Sequence, residues 1–211
     1  MILAATGMLR EAAIVGGPHI VAVAGGGRSD LLLERLSAAA TGCAGVLSIG
    51  LGGALDLQLA VGDVVIASEV IADGRWPTDG DWADRLANAL PRARRAVVYG
   101  SDQMILQAAE KAHLHGQTGA ALADMESHVA AHFAAERGLP LAVVRVVSDA
   151  ASTDLPRAVS AGLKPDGAMN LAGVLTALAA DPRQLPALVR AGREAEAAFR
   201  ALEALAPRLT A

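Results

Sequence analysis

Short apolar runs recur along this chain, separated by longer stretches of mixed polarity. The runs are "MILAAT" (1–6), "HIVAVAG" (19–25), "GVLSIG" (45–50), "GDVVIASEVI" (62–71), "RAVVYG" (95–100), "AALADM" (120–125) and "LAVVRVVSD" (141–149). Several are apolar at both odd and even positions, the pattern of strands covered on both faces. Between them lie helical stretches at 28–40, 104–116 and 127–138, and Ala- and Leu-rich helices at about 167–180 and 183–205. The second of these is amphipathic, as expected of a helix packed on the domain edge. Strands alternating with helices predict an α/β fold: a single domain over 1–211, with three α/β/α layers around a mixed central sheet. The segment 73–94 is polar and punctuated by Pro and Gly, and reads as an excursion from the core over a pocket.

Composition narrows the function. The 211 residues are 53% hydrophobic, yet no stretch is apolar enough over the eighteen or so residues that a membrane span needs. Mean hydropathy is +0.39. The start, "MILAATGMLREAA", has no cationic region before an apolar run, so no secretory leader is expected. One cysteine, Cys43, leaves no internal disulfide and fits a reducing cytoplasm. A net charge of −4 offers no basic footprint, and 2% aromatics no stacking platform, so nucleic acid is not expected as a partner.

In open α/β sheets ligands bind beyond the carboxyl ends of strands, so the polar residues there are the candidates. Thr6, Gly7, Met8 and then Glu11 follow the first run. Gly25, Gly26, Gly27 and Arg28 follow the second, and Gly50, Leu51, Gly52 and Gly53 the third. Met125 and Glu126 end the sixth, and Ser148 and Asp149 the seventh. The triple glycine before a helix suits close approach to an anion, with Arg28 supplying charge; a tight turn at positive φ explains it equally. It is not followed by the Lys-Ser/Thr of a phosphate-binding P-loop, and "GLGGAL" lacks the third glycine of the dinucleotide fingerprint. Asp149 at the end of an apolar strand is placed to be desolvated and to donate a proton near neutral pH, or to cap a helix. Glu11 alone reads as a solvated helix residue and Glu126 as a helix cap; three acids at three strand ends weigh toward a site. His128 and His132 have zinc-compatible i, i+4 spacing but no third ligand, so no metal and no cofactor are expected. His113 and His115 fit the end of a helix, and Cys43 a structural thiol.

These pieces resemble the purine nucleoside phosphorylase and nucleosidase superfamily, in its bacterial adenosine-type nucleosidase branch. "TGMLREA", "GVLSIGLGGALDLQLAVGDVVIAS", "GSDQMI", "DMESHVAAHF" and "VVRVVSDAA" stand in the family's order over most of 1–150. The resemblance implies that Asp149 protonates the purine N7, supported by Ser148, and that Glu126 holds ribose hydroxyls with Met125 beneath the sugar. Met104 and Ile105 would border the base, Glu11 would position or deprotonate the attacking water, and Gly52 and Gly53 would line the ribose. It also implies a homodimer or larger assembly.

The sequence departs from the family in two places. The central aromatic-rich segment is replaced by 73–94, leaving Trp76, Trp82, Tyr99 and Phe133 as the aromatics available to clamp a 5′ group. The Gly26-Gly27-Arg28 turn also differs, which keeps phosphate open as a co-substrate in place of water. The short, Ala-rich chain is most similar to the hopanoid-associated subgroup. That implies adenosylhopane as the substrate, ribosylhopane or phosphoribosylhopane as the product, and a cytoplasmic protein with weak contact to the inner membrane surface. The alternatives are a methylthioadenosine/adenosylhomocysteine nucleosidase and a non-catalytic nucleoside- or lipid-binding protein.

Overall fold

The computed structural model describes residues 1–162, 164 and 166–209. Its strands are β1 (Ile2–Thr6), β2 (Ile20–Ala24), β3 (Gly45–Ala54), β4 (Val64–Ile71), β5 (Arg75–Pro77), β6 (Arg94–Gly100), β7 (Leu122–Asp124) and β8 (Leu141–Asp149). Its helices are α1 (Leu9–Val15), α2 (Ser29–Ala39), α3 (Gly80–Ala89), α4 (Ala108–Thr118), α5 (Ser127–Glu136), α6 (Leu171–Ala180) and α7 (Leu185–Leu205). The fold is α/β with a mixed sheet, as the alternating pattern predicts.

The strands run in the order β2-β1-β3-β7-β6-β4-β5, and β8 pairs with both β3 and β4. The sheet therefore closes on itself through β3, β7, β6, β4 and β8. Strand β3 makes this possible. Its first part pairs with β1 and β8 in parallel, and its last residues, Gly53 and Ala54, pair antiparallel with β7. Gly52 allows the crossing: a Cβ there would lie 2.5 Å from Leu122 Cδ2 and 2.9 Å from the Ala123 carbonyl oxygen.

Side-chain alternation feeds two apolar layers. In β1, Leu3 and Ala5 face one layer and Ala4 the other. The first layer joins the sheet to α2 and α5 through Leu32, Leu36, Val129 and Phe133. The second joins it to α1, α3 and α7 through Val15, Trp82, Leu86, Phe199 and Leu202.

The segment 73–94 is not an excursion. It forms β5 on the sheet edge and then α3, whose Trp82, Ala83 and Leu86 are buried in the second layer. The polar residues at 79–81 that suggested a loop are its cap and first turn: Asp79 accepts a hydrogen bond from Trp82 N at 2.8 Å. The helix expected at 104–116 begins only at Ala108, leaving Met104 and Ile105 in an irregular, half-buried loop.

Phe133 is fully buried in the first layer. Phe133→Ala should cost about 3–5 kcal/mol in urea unfolding, whereas Leu57→Ala, at an exposed position, should stay within about 0.5 kcal/mol.

Candidate active site

A buried arginine organises the carboxyl ends of β1, β3 and β7. Arg145 stands in the middle of β8 and is wholly shielded from solvent. Its Nη2 donates to Ser48 Oγ at 2.5 Å. Its Nε lies 3.1 Å from Asp124 Oδ2, and its Nη1 3.4 Å from Glu126 Oε2. A buried charge requires partners, and here one cation faces three buried carboxylates, Asp124, Glu126 and Glu11. Glu11 arrives from the first turn of α1. Its Oε2 accepts from Gly7 N and Met8 N, each at 2.8 Å, and its Oε1 from Leu51 N at 2.8 Å. It is thus locked to two strand ends rather than solvated on a helix face. Gly7 and Gly50 leave the room: a Cβ on Gly7 would sit 2.7 Å from Glu126 Oε1, and one on Gly50 2.7 Å from Glu11 Oε1.

Burial sets the ionisation of this cluster. Desolvation raises Glu11 above the ordinary carboxylate range, opposed by its three backbone donors and by Arg145. Desolvation likewise pushes Glu126 up to about 8; Arg145 opposes this, while Asp124 and Glu11 add to it. Glu126 occupies the cap position of α5 yet does not cap it. Asp124 does, its Oδ1 accepting from Glu126 N at 2.8 Å and Ser127 N at 2.6 Å. The Glu126 carboxyl is therefore free of the backbone role that its position suggests.

Farther along β8, Asp149 forms a second buried site. Ser148 Oγ lies 2.7 Å from Asp149 Oδ1 and 3.1 Å from the Gly52 carbonyl oxygen. Lys111 of α4 places Nζ 2.5 Å from Asp149 Oδ2, and its side chain is 1% exposed. Gly53 lies against this carboxylate: a Cβ there would be 3.1 Å from Oδ2. No helix follows Asp149 directly, so it caps none.

The remaining candidates are placed as follows. Met125, Met104 and Ile105 are half-buried, and Ile105 packs with Tyr99 against Leu55, Ala120 and Ala123. Gly26 and Gly27 adopt φ of 66° and 70°, and Gly26 N donates to the Gly7 carbonyl, so they build a tight turn. Arg28 points outward, with its side chain 51% exposed and paired with Asp30. His128 and His132 each meet a different carboxylate, Asp102 and Asp73. Among the described residues no group of three or more His, Cys, Asp or Glu is arranged to hold a metal. Ser29, His128 and Asp102 do cluster, but His128 Nε2 meets both Ser29 (3.3 Å) and Asp102 (3.1 Å), so they form no nucleophile relay. Of the aromatics, Trp82 and Phe133 belong to the core, and Trp76 packs on His132 at 4.3 Å between ring centroids.

Sequence reasoning missed three residues here. Arg145 had a signal, because a lone charge inside "LAVVRVVSD" has to be paired. Asp124, two residues before Glu126, had the ordinary signature of a cap. Lys111 had none, since it stands among polar helix residues.

The family model of the phosphorylase superfamily matches residues 4–180, and the chain belongs to that superfamily. Membership makes it an enzyme of N-glycosidic bond cleavage. Among solved structures, a 5′-methylthioadenosine/S-adenosylhomocysteine nucleosidase from Helicobacter pylori is 16% identical, with a TM-score of 0.65 over 98% of this chain and 97% of that one. The corresponding nucleosidase from Neisseria meningitidis is 17% identical, with a TM-score of 0.64 over 84% and 97%. Futalosine hydrolase of Helicobacter pylori is 17% identical, with a TM-score of 0.63 over 70% and 87%. These likenesses establish the shared fold. Among curated proteins none matches the chain.

The raised Glu126 gives a pH signature. From its ordinary value of 4.5 to about 8, the folded protein holds a proton that the unfolded chain has released, so stability falls as pH rises through that window. Glu126→Gln removes this contribution. Its melting temperature should rise relative to the unsubstituted protein between about pH 5 and about pH 9; a difference that is constant over this range refutes the assignment.

Proposed function

We propose that this protein is a purine nucleosidase that releases adenine from a nucleoside carrying an apolar 5′ substituent. Adenosylhopane is the favoured substrate and ribosylhopane the product. The observation that carries the reading is the pairing of two buried acidic sites along β8. Asp149 with Ser148 lies at the strand end, and Glu11 with Glu126 surrounds Arg145 four residues earlier.

Each site suits one half of the reaction. As the bond between C1′ and N9 breaks, its electron pair moves to the purine, and a proton delivered through Asp149 to N7 stabilises the leaving base. The ribosyl group becomes cation-like. Glu126, beside Arg145, offers its carboxyl oxygens to the ribose hydroxyls, and this contact strengthens as the sugar becomes positive. Glu11, fixed by three backbone amides, accepts a proton from the attacking water.

Water is favoured over phosphate. Arg145 is enclosed by Ser48, Asp124 and Glu126, and Arg28 is paired with Asp30 on the surface, so neither cation presents itself to a dianion. The apolar 5′ group is supported by the rim. Gly167, in the segment leading to α6, accepts from Leu9 N at 3.0 Å and so adjoins the Gly7–Glu11 wall. Leu9, Met169, Leu171 and Leu175 are all at least half exposed. An assembly of two or more copies, with weak apolar contact to a membrane surface, accords with this reading. The second reading, methylthioadenosine or adenosylhomocysteine as substrate, is favoured by the nucleosidases of the same fold.

Adenine release from adenosylhopane, methylthioadenosine and adenosylhomocysteine, each with and without phosphate, tests both readings. Adenosylhopane should be turned over fastest, without acceleration by phosphate, and Asp149→Asn should lower kcat by about 10²–10⁴. Absence of release from all three overturns the activity, and full activity in Asp149→Asn overturns the mechanism.

A further inference from the structure

The site contains a buried cation for which the reaction as derived has no use. Lys111 is fully buried, and its ammonium has three neighbours: Asp149 Oδ2 at 2.5 Å, the Ala150 carbonyl at 3.1 Å and the Thr153 carbonyl at 3.0 Å. An ammonium has three N–H donors, so each has one acceptor. Two go to backbone carbonyls that cannot take the proton. The third goes to the carboxylate that the proposed reaction assigns to the leaving base.

The surroundings fix this geometry. Ala108 N, at the start of α4, donates to Asp154 Oδ1 at 2.7 Å, and Leu155 N donates to the Leu106 carbonyl at 2.8 Å. The loop after Asp149 is thereby tied to α4 and to the segment holding Met104 and Ile105. Ser148 Oγ lies on the other carboxylate oxygen.

Resting on the nucleosidase reading above, we infer that Lys111 is the positioning residue of Asp149 and the reservoir of the proton that leaves with the base. In the empty enzyme the proton resides on Nζ. As the C1′–N9 pair moves to the purine, an N–H bond of Lys111 breaks and the Asp149 carboxyl passes a proton to N7. Lys111 is left as a neutral amine whose two remaining N–H groups match the Ala150 and Thr153 carbonyls, and Asp149 is again a carboxylate. The proton that water loses on attacking C1′ goes to Glu11, and exchange with solvent then restores Lys111. An amine can cycle in this way without losing its anchoring bonds.

Two variants test the role. Lys111→Gln keeps two N–H donors for the carbonyls but has no transferable proton, and Lys111→Met removes both functions. Adenine release from adenosylhopane and methylthioadenosine is compared with nitrophenol release from p-nitrophenyl riboside, whose leaving group needs no protonation. Lys111→Gln should slow adenine release about 100-fold through kcat, with KM little changed and nitrophenol release within a few-fold of normal. Lys111→Gln/Asp149→Asn should be no slower than Asp149→Asn alone, because the pair acts as one unit. Equal losses on both leaving groups, or additive losses in the double variant, overturn the inference. The double variant decides independently of the aryl riboside, and melting curves identify a Lys111→Met protein that has merely unfolded. If the unsubstituted protein releases adenine from neither nucleoside, it is the nucleosidase reading that fails.

Discussion

Everything at this site depends on a guanidinium being buried in the middle of a β-strand. Arg145 in an apolar strand would be prohibitive without partners. Its partners come from places far apart in the chain: Ser48 on β3, Asp124 at the end of β7 and Glu126 at the start of α5, with Glu11 of α1 beside it. Conversely, Arg145 opposes the rise that burial imposes on Glu11 and Glu126. The ionic cluster therefore ties β3, β7 and β8 together at the place where the sheet closes on itself. The residues that close the fold are thus also those that assemble the site.

The same strand separates the two halves of the proposed chemistry. Arg145 and Asp149 are four residues apart, which at the rise of a strand is roughly 13 Å between their backbones. Their charge environments differ. Around Arg145 burial pushes Glu11 and Glu126 toward their protonated forms, and Asp124 and Glu11 add to the rise at Glu126. Around Asp149 one carboxylate meets one ammonium. In the proposed reaction, acceptors around Arg145 suit a sugar that becomes cationic, and a carboxylate–ammonium pair suits a group that delivers a proton and recovers it. Gly7 and Gly50 supply the close approaches that the Arg145 cluster needs, and Gly53 the one beside Asp149.

Much of this was legible in the sequence, for identifiable reasons. The strand runs and the α/β class follow from apolar runs of β length bounded by glycine and polar turns. Glu11, Glu126, Ser148 and Asp149 were accessible because strand ends can be read without knowing which strands are neighbours. What could not be read was pairing. Nothing local shows that Leu122 lies against Gly52, or that Lys111 on α4 reaches Asp149, 38 residues away. The misreading of 73–94 has another cause: capping residues and surface polarity look like a loop unless the stripe of Trp82, Ala83 and Leu86 is weighed against them. The outward turn of Arg28 was also hidden, since Asp30 competes for it only once the helix has formed.

The buried acids also bear on what the proposed site binds. Buried Glu11, Asp124 and Glu126 around a single arginine present oxygens that can accept from hydroxyls. The rim has the opposite character. Helix α6 buries none of its residues, although it is composed almost wholly of apolar ones, and the segment before it bonds to the backbone at Leu9. Leaving Leu171 and Leu175 uncovered in water has no stability rationale within the chain. In the proposed reading, a sugar held at the acidic cluster with its 5′ end toward the apolar rim would account for both features with one ligand. A small 5′ group would use the first feature and leave the second unexplained.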